Sequence, residues 1–203
     1  MTQTTSIIDL IRHGEPVGGS GRYRGQIDDP LSEKGWQQMR EAVADHCPWE
    51  AIVSSPLSRC AAFAKELAER HDLPLSLDER LMEIGFGEWE GRSKAEISAQ
   101  DPDALQNFYN DPVKFRPPGA ETLIDFETRI ADAWQAVLQQ YSGRHVLVVG
   151  HAGVIRMLVR YILASPLESM FRIHVPNAGI TRIRVDDEGE QALASLVFHA
   201  GCL

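Results

Sequence analysis

At 203 residues, 43% hydrophobic and 24% charged, the chain has the composition of a folded globular protein rather than a disordered one. Its net charge of −9, without a run of about five or six like charges, argues against nucleic acid as a partner, because a phosphate backbone needs a basic surface. No apolar stretch approaches the ~20 residues that cross a bilayer, and the N-terminus lacks the basic flank and long apolar segment of a signal peptide. Cys47, Cys60 and Cys202 have no metal-ligand spacing, so the expectation is a cytoplasmic protein without membrane contact, disulfide framework or structural zinc.

The first apolar run, Ile7–Ile11, reads as a buried strand that ends in Arg12-His13-Gly14-Glu15. Ligands of open α/β sheets bind just outside the strands' carboxyl ends. Glycine there admits a close approach, arginine grips phosphate oxygens in pairs, and a neutral imidazole can act as a nucleophile. Taken alone, the same residues also read as a loop histidine beside a surface arginine. Ser32 is placed to cap a helix whose inner face is Trp36, Met39 and Val43. The second strand, Ala51–Val53, leads into Ser55 and Pro56, which read as N-cap and first helical residue. That helix turns Leu57, Cys60 with Ala61, Ala64 and Leu67 inward, and Arg59 falls in its first turn, where free N–H groups and the helix dipole favour an anion. Leu73–Leu77 is a weaker strand candidate.

A glycine-rich loop, Met82–Gly91, carries Glu83, Glu88 and Glu90, three candidate proton donors that residue type alone does not separate. From Ser93 to Pro118 the chain holds Pro102, Pro112, Pro117 and Pro118, short helical pieces and the aromatics Phe108, Tyr109 and Phe115. This segment is expected to cap the mouth of a site. Between Glu121 and Tyr141, the residues Leu123, Phe126, Ile130, Trp134, Val137 and Tyr141 keep helical spacing. The strand Val146–Val149 then ends in Gly150-His151-Ala152-Gly153, and Ile180–Val185 with Ala192–Phe198 reads as a hairpin around Asp186-Asp187-Glu188-Gly189.

Strands alternating with helices imply an α/β fold: a mostly parallel open sheet flanked by helices on both faces, with a lid insertion and a C-terminal edge hairpin. Residues 1–203 are read as a single domain, with the lid at about 93–118. Three parallel strands each end in a cation or an imidazole at the same sheet edge, which points to phosphate chemistry with a histidine attacking phosphorus. There is no HExxH or carboxylate cluster to suggest a metal. The remaining histidines, His46, His71, His145, His174 and His199, are expected at surfaces or helix ends.

Five motifs, in this order, give the chain its resemblance to a family: Arg12-His13-Gly14-Glu15, Pro30-Leu31-Ser32-Glu33-Lys34-Gly35, Ser54-Ser55-Pro56-Leu57-Ser58-Arg59, the loop Glu83 to Gly91, and Gly150-His151-Ala152-Gly153. It resembles the histidine phosphatase superfamily, the phosphoglycerate-mutase-like fold. The resemblance implies that His13 is transiently phosphorylated, that Arg12, Arg59 and His151 hold the phosphoryl oxygens, and that Glu83 protonates the leaving group and then activates water. It implies no cofactor and no metal. Gly19 and Gln26 replace an asparagine and a tryptophan of the phosphoglycerate mutases, and the mutases' long basic insertion is missing, so hydrolysis is expected over transfer. Two stretches, Arg22 to Ser32 and Phe108–Pro112 with Phe115–Thr122, resemble the α-ribazole phosphatases of cobalamin biosynthesis. That likeness implies α-ribazole 5′-phosphate as substrate, with Arg24, Gly25 and Gln26 among its contacts, and the lid aromatics Phe108, Tyr109 and Phe115 either stack on its flat base or form the lid's own small core. The alternatives are a broad-specificity sugar or nucleotide phosphatase, a mutase-like enzyme, and a non-catalytic phosphate-binding protein. The expected partner is a small phosphorylated substrate, and the acidic edge hairpin is compatible with a homodimer.

Overall fold

The apolar runs become the strands β1 (Thr4–Arg12), β2 (Ala51–Ser54), β3 (Leu75–Leu77), β4 (His145–Gly150), β5 (Ile180–Asp187) and β6 (Ala192–Gly201). They form one open sheet in the order β3-β2-β4-β1-β5-β6. The computed structural model describes residues 4–19, 21–187 and 192–201. Cys202, Glu188, Gly189 and Ser20 therefore lie outside the described residues. The pairs β2–β3, β2–β4 and β1–β4 are parallel, whereas β5 runs antiparallel to β1, and β6 to β5. The mixed, mainly parallel sheet agrees with the fold expected from the sequence.

Side chains on a strand alternate between its two faces, and both faces here are covered. Ile8, Leu10, Val53, Val146 and Val148 meet α5 (Leu123–Gln140) through Phe126, Ile130 and Trp134, and α6 (Ala152–Ile162) through Ile155, Leu158 and Val159. Ile11, Ile52, Leu147 and Val149 meet α1 (Glu33–Val43) through Met39 and Val43, and α2 (Ser58–His71) through Cys60, Phe63, Ala64 and Leu67. Ser32 caps α1 as expected, accepting a hydrogen bond from the Gly35 amide. Trp36 is only partly buried, because Gly35 takes the inner position of the first turn.

One helix start moves. α2 begins at Ser58, with Leu57 as an N-cap that offers no side-chain bond. Ser55 does not cap the helix, because its hydroxyl meets His151 Nε2 at 2.8 Å and accepts from the Leu57 amide at 3.3 Å. Arg59 nonetheless remains in the first turn. The predicted inner face of α2 also omitted Phe63, which is fully buried, and included Ala61, which is only partly so.

The proline-rich segment folds as α3 (Lys94–Gln100), closed by a capping box between Ser93 and Glu96, and α4 (Ala104–Asn110). Phe108 is the anchor of this segment, in contact with Phe86, Trp89, Tyr109 and Phe171. Within β1, Asp9 is fully buried and receives hydrogen bonds from Trp49 and Arg182 and a contact from His145 at 2.8 Å. His145 is thus a partner of a buried charge. Expected at a surface or helix end, it is instead half-buried at the start of β4, two residues along the ladder from Asp9.

Candidate active site

Strands β1 and β4 pair in register so that Arg12 lies beside Gly150. This places His13, Arg12 and His151 at one sheet edge, and Arg59 reaches the same place from the first turn of α2. The His13 Nδ1 lies 2.7 Å from the Gly14 carbonyl oxygen. A carbonyl only accepts, so Nδ1 carries the proton and the lone pair sits on Nε2. Burial pushes the His13 pKa well below its usual range, and the charges of Arg12 and Arg59 push it further down. The ring is held neutral.

His151 is fully buried behind His13, with ring centroids 5.2 Å apart and an edge-on approach. Its pKa is likewise depressed, by burial first and then by Arg59, His13 and Arg12. The Cys60 sulfur lies 3.6 Å from His151 Nε2, and burial pushes that thiol's pKa up. Arg12 donates from Nη1 to the Val175 carbonyl at 2.6 Å. Arg59 donates its two Nη groups to the carbonyls of Ile27 and Gly25, each at 2.7 Å. The Nε atoms of both arginines are buried and have no partner among the described residues. Two fixed guanidinium groups with unsatisfied donors make a site for an anion.

The structure separates the three carboxylates that the sequence left level. Glu83 borders the same cavity, its Oε1 accepting from the Ile84 amide at 3.0 Å and its Oε2 from the Gly153 amide at 3.2 Å. Glycine at position 153 leaves room for this carboxylate, because a Cβ there would stand 2.1 Å from Glu83 Oε1 and displace it. Glu90 is spent on backbone, accepting from the amides of Phe86 and Gln26. Glu88 is exposed and borders a different cavity.

The cavity holds about 560 Å³. Of the expected substrate contacts, Arg12, Arg24, Gly25 and Arg59 line it, whereas His151 stands behind His13 and Gln26 lies outside the lining. Gln26 instead points its side-chain amide toward the Glu83 carbonyl at 3.4 Å. Arg24 donates to Asp29 and to the carbonyls of Val17 and Gly19, which ties down the loop after the nucleophile. Of the three lid aromatics, Tyr109 alone lines the cavity. Phe108 is buried in the lid's own core, and Phe115 borders the second cavity.

Sequence reasoning missed several residues. Tyr23, Phe86 and Phe171 complete the aromatic wall, and Arg156 and Lys94 add charge to it. Arg156 follows His151 on the same helix, so helical phase could have flagged it. Nothing local marks Phe171. Arg129 donates to the carbonyls of Arg80, Met82 and Glu83 and to the Glu121 carboxylate, fixing the loop that presents Glu83.

A neutral histidine and two open guanidinium donors at the carboxyl edge of a doubly covered α/β sheet define a phosphate-binding protein with a poised imidazole. The chain belongs to the histidine phosphatase superfamily (branch 1), whose family model matches residues 8–196. It is 29% identical over 201 residues to phosphoserine phosphatase 1 of Hydrogenobacter thermophilus, covering 95% of this chain and 93% of that one. It is also 29% identical over 170 residues to the adenosylcobalamin/α-ribazole phosphatase of Salmonella typhimurium, covering 82% and 84%. Among solved structures, mycobacterial glucosyl-3-phosphoglycerate phosphatase superposes with a TM-score of 0.86 at 27% identity, over 97% of this chain and 99% of that one. Against longer mycobacterial relatives, the chain spans about half their length (48%).

Proposed function

We propose that the protein is a phosphomonoesterase that works through a phosphohistidine, with its positive charge supplied by arginines rather than by a metal. His13 Nε2 attacks phosphorus, a P–N bond forms, and the ester P–O bond breaks as Glu83 delivers its proton to the leaving oxygen. Glu83 then takes a proton from water, whose oxygen attacks phosphorus. The P–N bond breaks, inorganic phosphate leaves, and His13 is again neutral. Arg12, Arg59 and His151 stabilise the charge that builds on the phosphoryl oxygens. The observation that carries this reading is the Nδ1 contact to the Gly14 carbonyl, which frees Nε2 as the nucleophilic lone pair.

For the substrate, α-ribazole 5′-phosphate finds support in the aromatic wall of Tyr23, Phe86, Tyr109 and Phe171 and in the Salmonella relative. A phosphoglycerate ester, whose leaving alcohol carries a carboxylate, finds support in the cations on the same wall, Arg156 and Lys94, and sugar and nucleotide esters are the remaining alternatives. Steady-state hydrolysis of these four esters, run in EDTA beside His13→Ala, tests the reading. The expected result is phosphate release by the wild type only, with an acid-labile phosphoryl group trapped on the protein. Equal turnover by His13→Ala would overturn the mechanism.

A further inference from the structure

Six cationic side chains line the cavity (Arg12, Arg22, Arg24, Arg59, Lys94 and Arg156) against the single carboxylate of Glu83. Two of the six are answered locally: Arg24 pairs with Asp29 at 2.9 Å, and Arg22 with Glu96 at 3.4 Å. Arg12 and Arg59 flank the nucleophile and suffice for a transferred phosphoryl group. Arg156 differs from all four. Its Nε donates to the Ile173 carbonyl at 2.8 Å and its guanidinium stands 5.8 Å from the Phe171 ring centre, which fixes the plane of the group. Its two Nη groups have no hydrogen bond or ion pair among the described residues, on a wall shared with Tyr23, Tyr109 and Phe171.

We infer that Arg156 is a specificity-determining residue that binds a negatively charged group on the leaving alcohol, a carboxylate or a second phosphoryl group. The inference rests on the phosphatase reading and narrows it to phosphate esters of anionic alcohols. The Arg156 guanidinium is partly buried, its one hydrogen bond goes to a neutral carbonyl, and the only carboxylate acting on it from the cavity is that of Glu83, so much of its desolvation cost stands. Planar, two-pronged recognition of an oxyanion removes that cost and is the task for which arginine is shaped. Glu83 does not answer the charge when the ester binds, because it must then hold the proton that it delivers. A neutral leaving alcohol, α-ribazole or a nucleoside, leaves Arg156 unmatched, so the phosphoglycerate-like reading moves ahead.

The test compares isosteres. Carboxybenzylphosphonates and the matching carbamoylbenzylphosphonates, substituted at the 3- or 4-position, differ in one charge and resist hydrolysis. Calorimetry at pH 7 on the full chain reads the affinity ratio within each pair. The expected ratio favours the carboxylate by about tenfold or more for one of the two positions, equivalent to ~1.4 kcal/mol. It should collapse toward unity in Arg156→Gln and persist in part in Arg156→Lys. A ratio cancels the fraction of protein that is correctly folded, so partial misfolding does not imitate the effect. A wild-type ratio near one at both positions, or a ratio unchanged in Arg156→Gln, overturns the inference. Turnover of the corresponding phenyl phosphates is followed separately. A charge-dependent ratio without turnover keeps the assignment of Arg156 and removes the phosphatase reading, while turnover with a flat ratio does the reverse.

Discussion

An imidazole is useful as a nucleophile only while its lone pair is free, and at His13 three neighbours keep it so. The Gly14 carbonyl takes the Nδ1 proton, while burial and the guanidinium groups of Arg12 and Arg59 oppose a second proton on Nε2. The site therefore operates with a neutral ring below the ordinary imidazole value of 6.5. NMR titration of the ring nitrogens in the free protein should show His13 still neutral as the pH falls through 6.5, where an unperturbed histidine takes up its proton. Proton uptake between about pH 6 and 7 would contradict the geometry. The candidate residues at this scale were legible because their chemistry is carried by type and position: an arginine, a histidine and a glycine at a strand end. The choice among Glu83, Glu88 and Glu90 was not legible. It depends on which carboxylate lies over Gly153, a residue some seventy positions away in the chain.

Among the elements, the turn from β2 into α2 departs most from local expectation. Ser55-Pro56 has the chemistry of a helix start, yet the helix waits until Ser58. The serine hydroxyl is drawn to His151 on a neighbouring strand end, a contact that local propensity cannot register. If Ser55 were merely a cap, Ser55→Ala would cost about 1 kcal/mol of stability and leave catalysis alone. With its hydroxyl on His151, the same change should also lower kcat by roughly tenfold, the worth of one buried hydrogen bond, while Ser55→Thr should recover part of the rate. Thermal melts and kcat measured together distinguish the two roles. The lid shows the complementary behaviour. Helices of seven residues such as α3 and α4 are too short to persist alone, so they hold through the capping box and the Phe108 cluster. The sequence marked the segment by its prolines and aromatics but did not separate Tyr109, which lines the cavity, from Phe108 and Phe115, which do not, since which side of a short helix faces inward is settled by its neighbours.

For the whole molecule, the buried Asp9 on β1 ties β4, β5 and the loop before β2 together through His145, Arg182 and Trp49. Burial pushes the Asp9 pKa up, but the hydrogen bonds from Arg182, His145 and Trp49 outweigh it and lower the value from 3.8 to about 2. A depressed carboxyl pKa stabilises the fold above 3.8 and ceases to as pH falls toward about 2, a contribution of roughly 2 kcal/mol. His13 and His151 act in a higher window. Their folded pKa values lie below 6.5, so the unfolded chain binds protons first and stability declines as pH drops beneath that value. Urea unfolding at a series of pH values should show both declines, and Asp9→Asn should lose the lower one at a cost of about 3 kcal/mol at pH 7. An unchanged acid profile in that variant would remove Asp9 from the account.

The sequence by itself determined the alternation of strand and helix, the two-faced sheet and the strand ends that carry Arg12, His13 and His151, because hydrophobic period and glycine placement act over a few residues. Only the tertiary structure decided that Glu83 borders the cavity of the nucleophile, that Ser55 serves His151, that Gln26 lies outside the cavity lining and that Arg156 stands on its wall with no ion pair among the described residues. Those choices follow from contacts between residues far apart in the chain, and such contacts exist only once the sheet order and helix packing have brought them together.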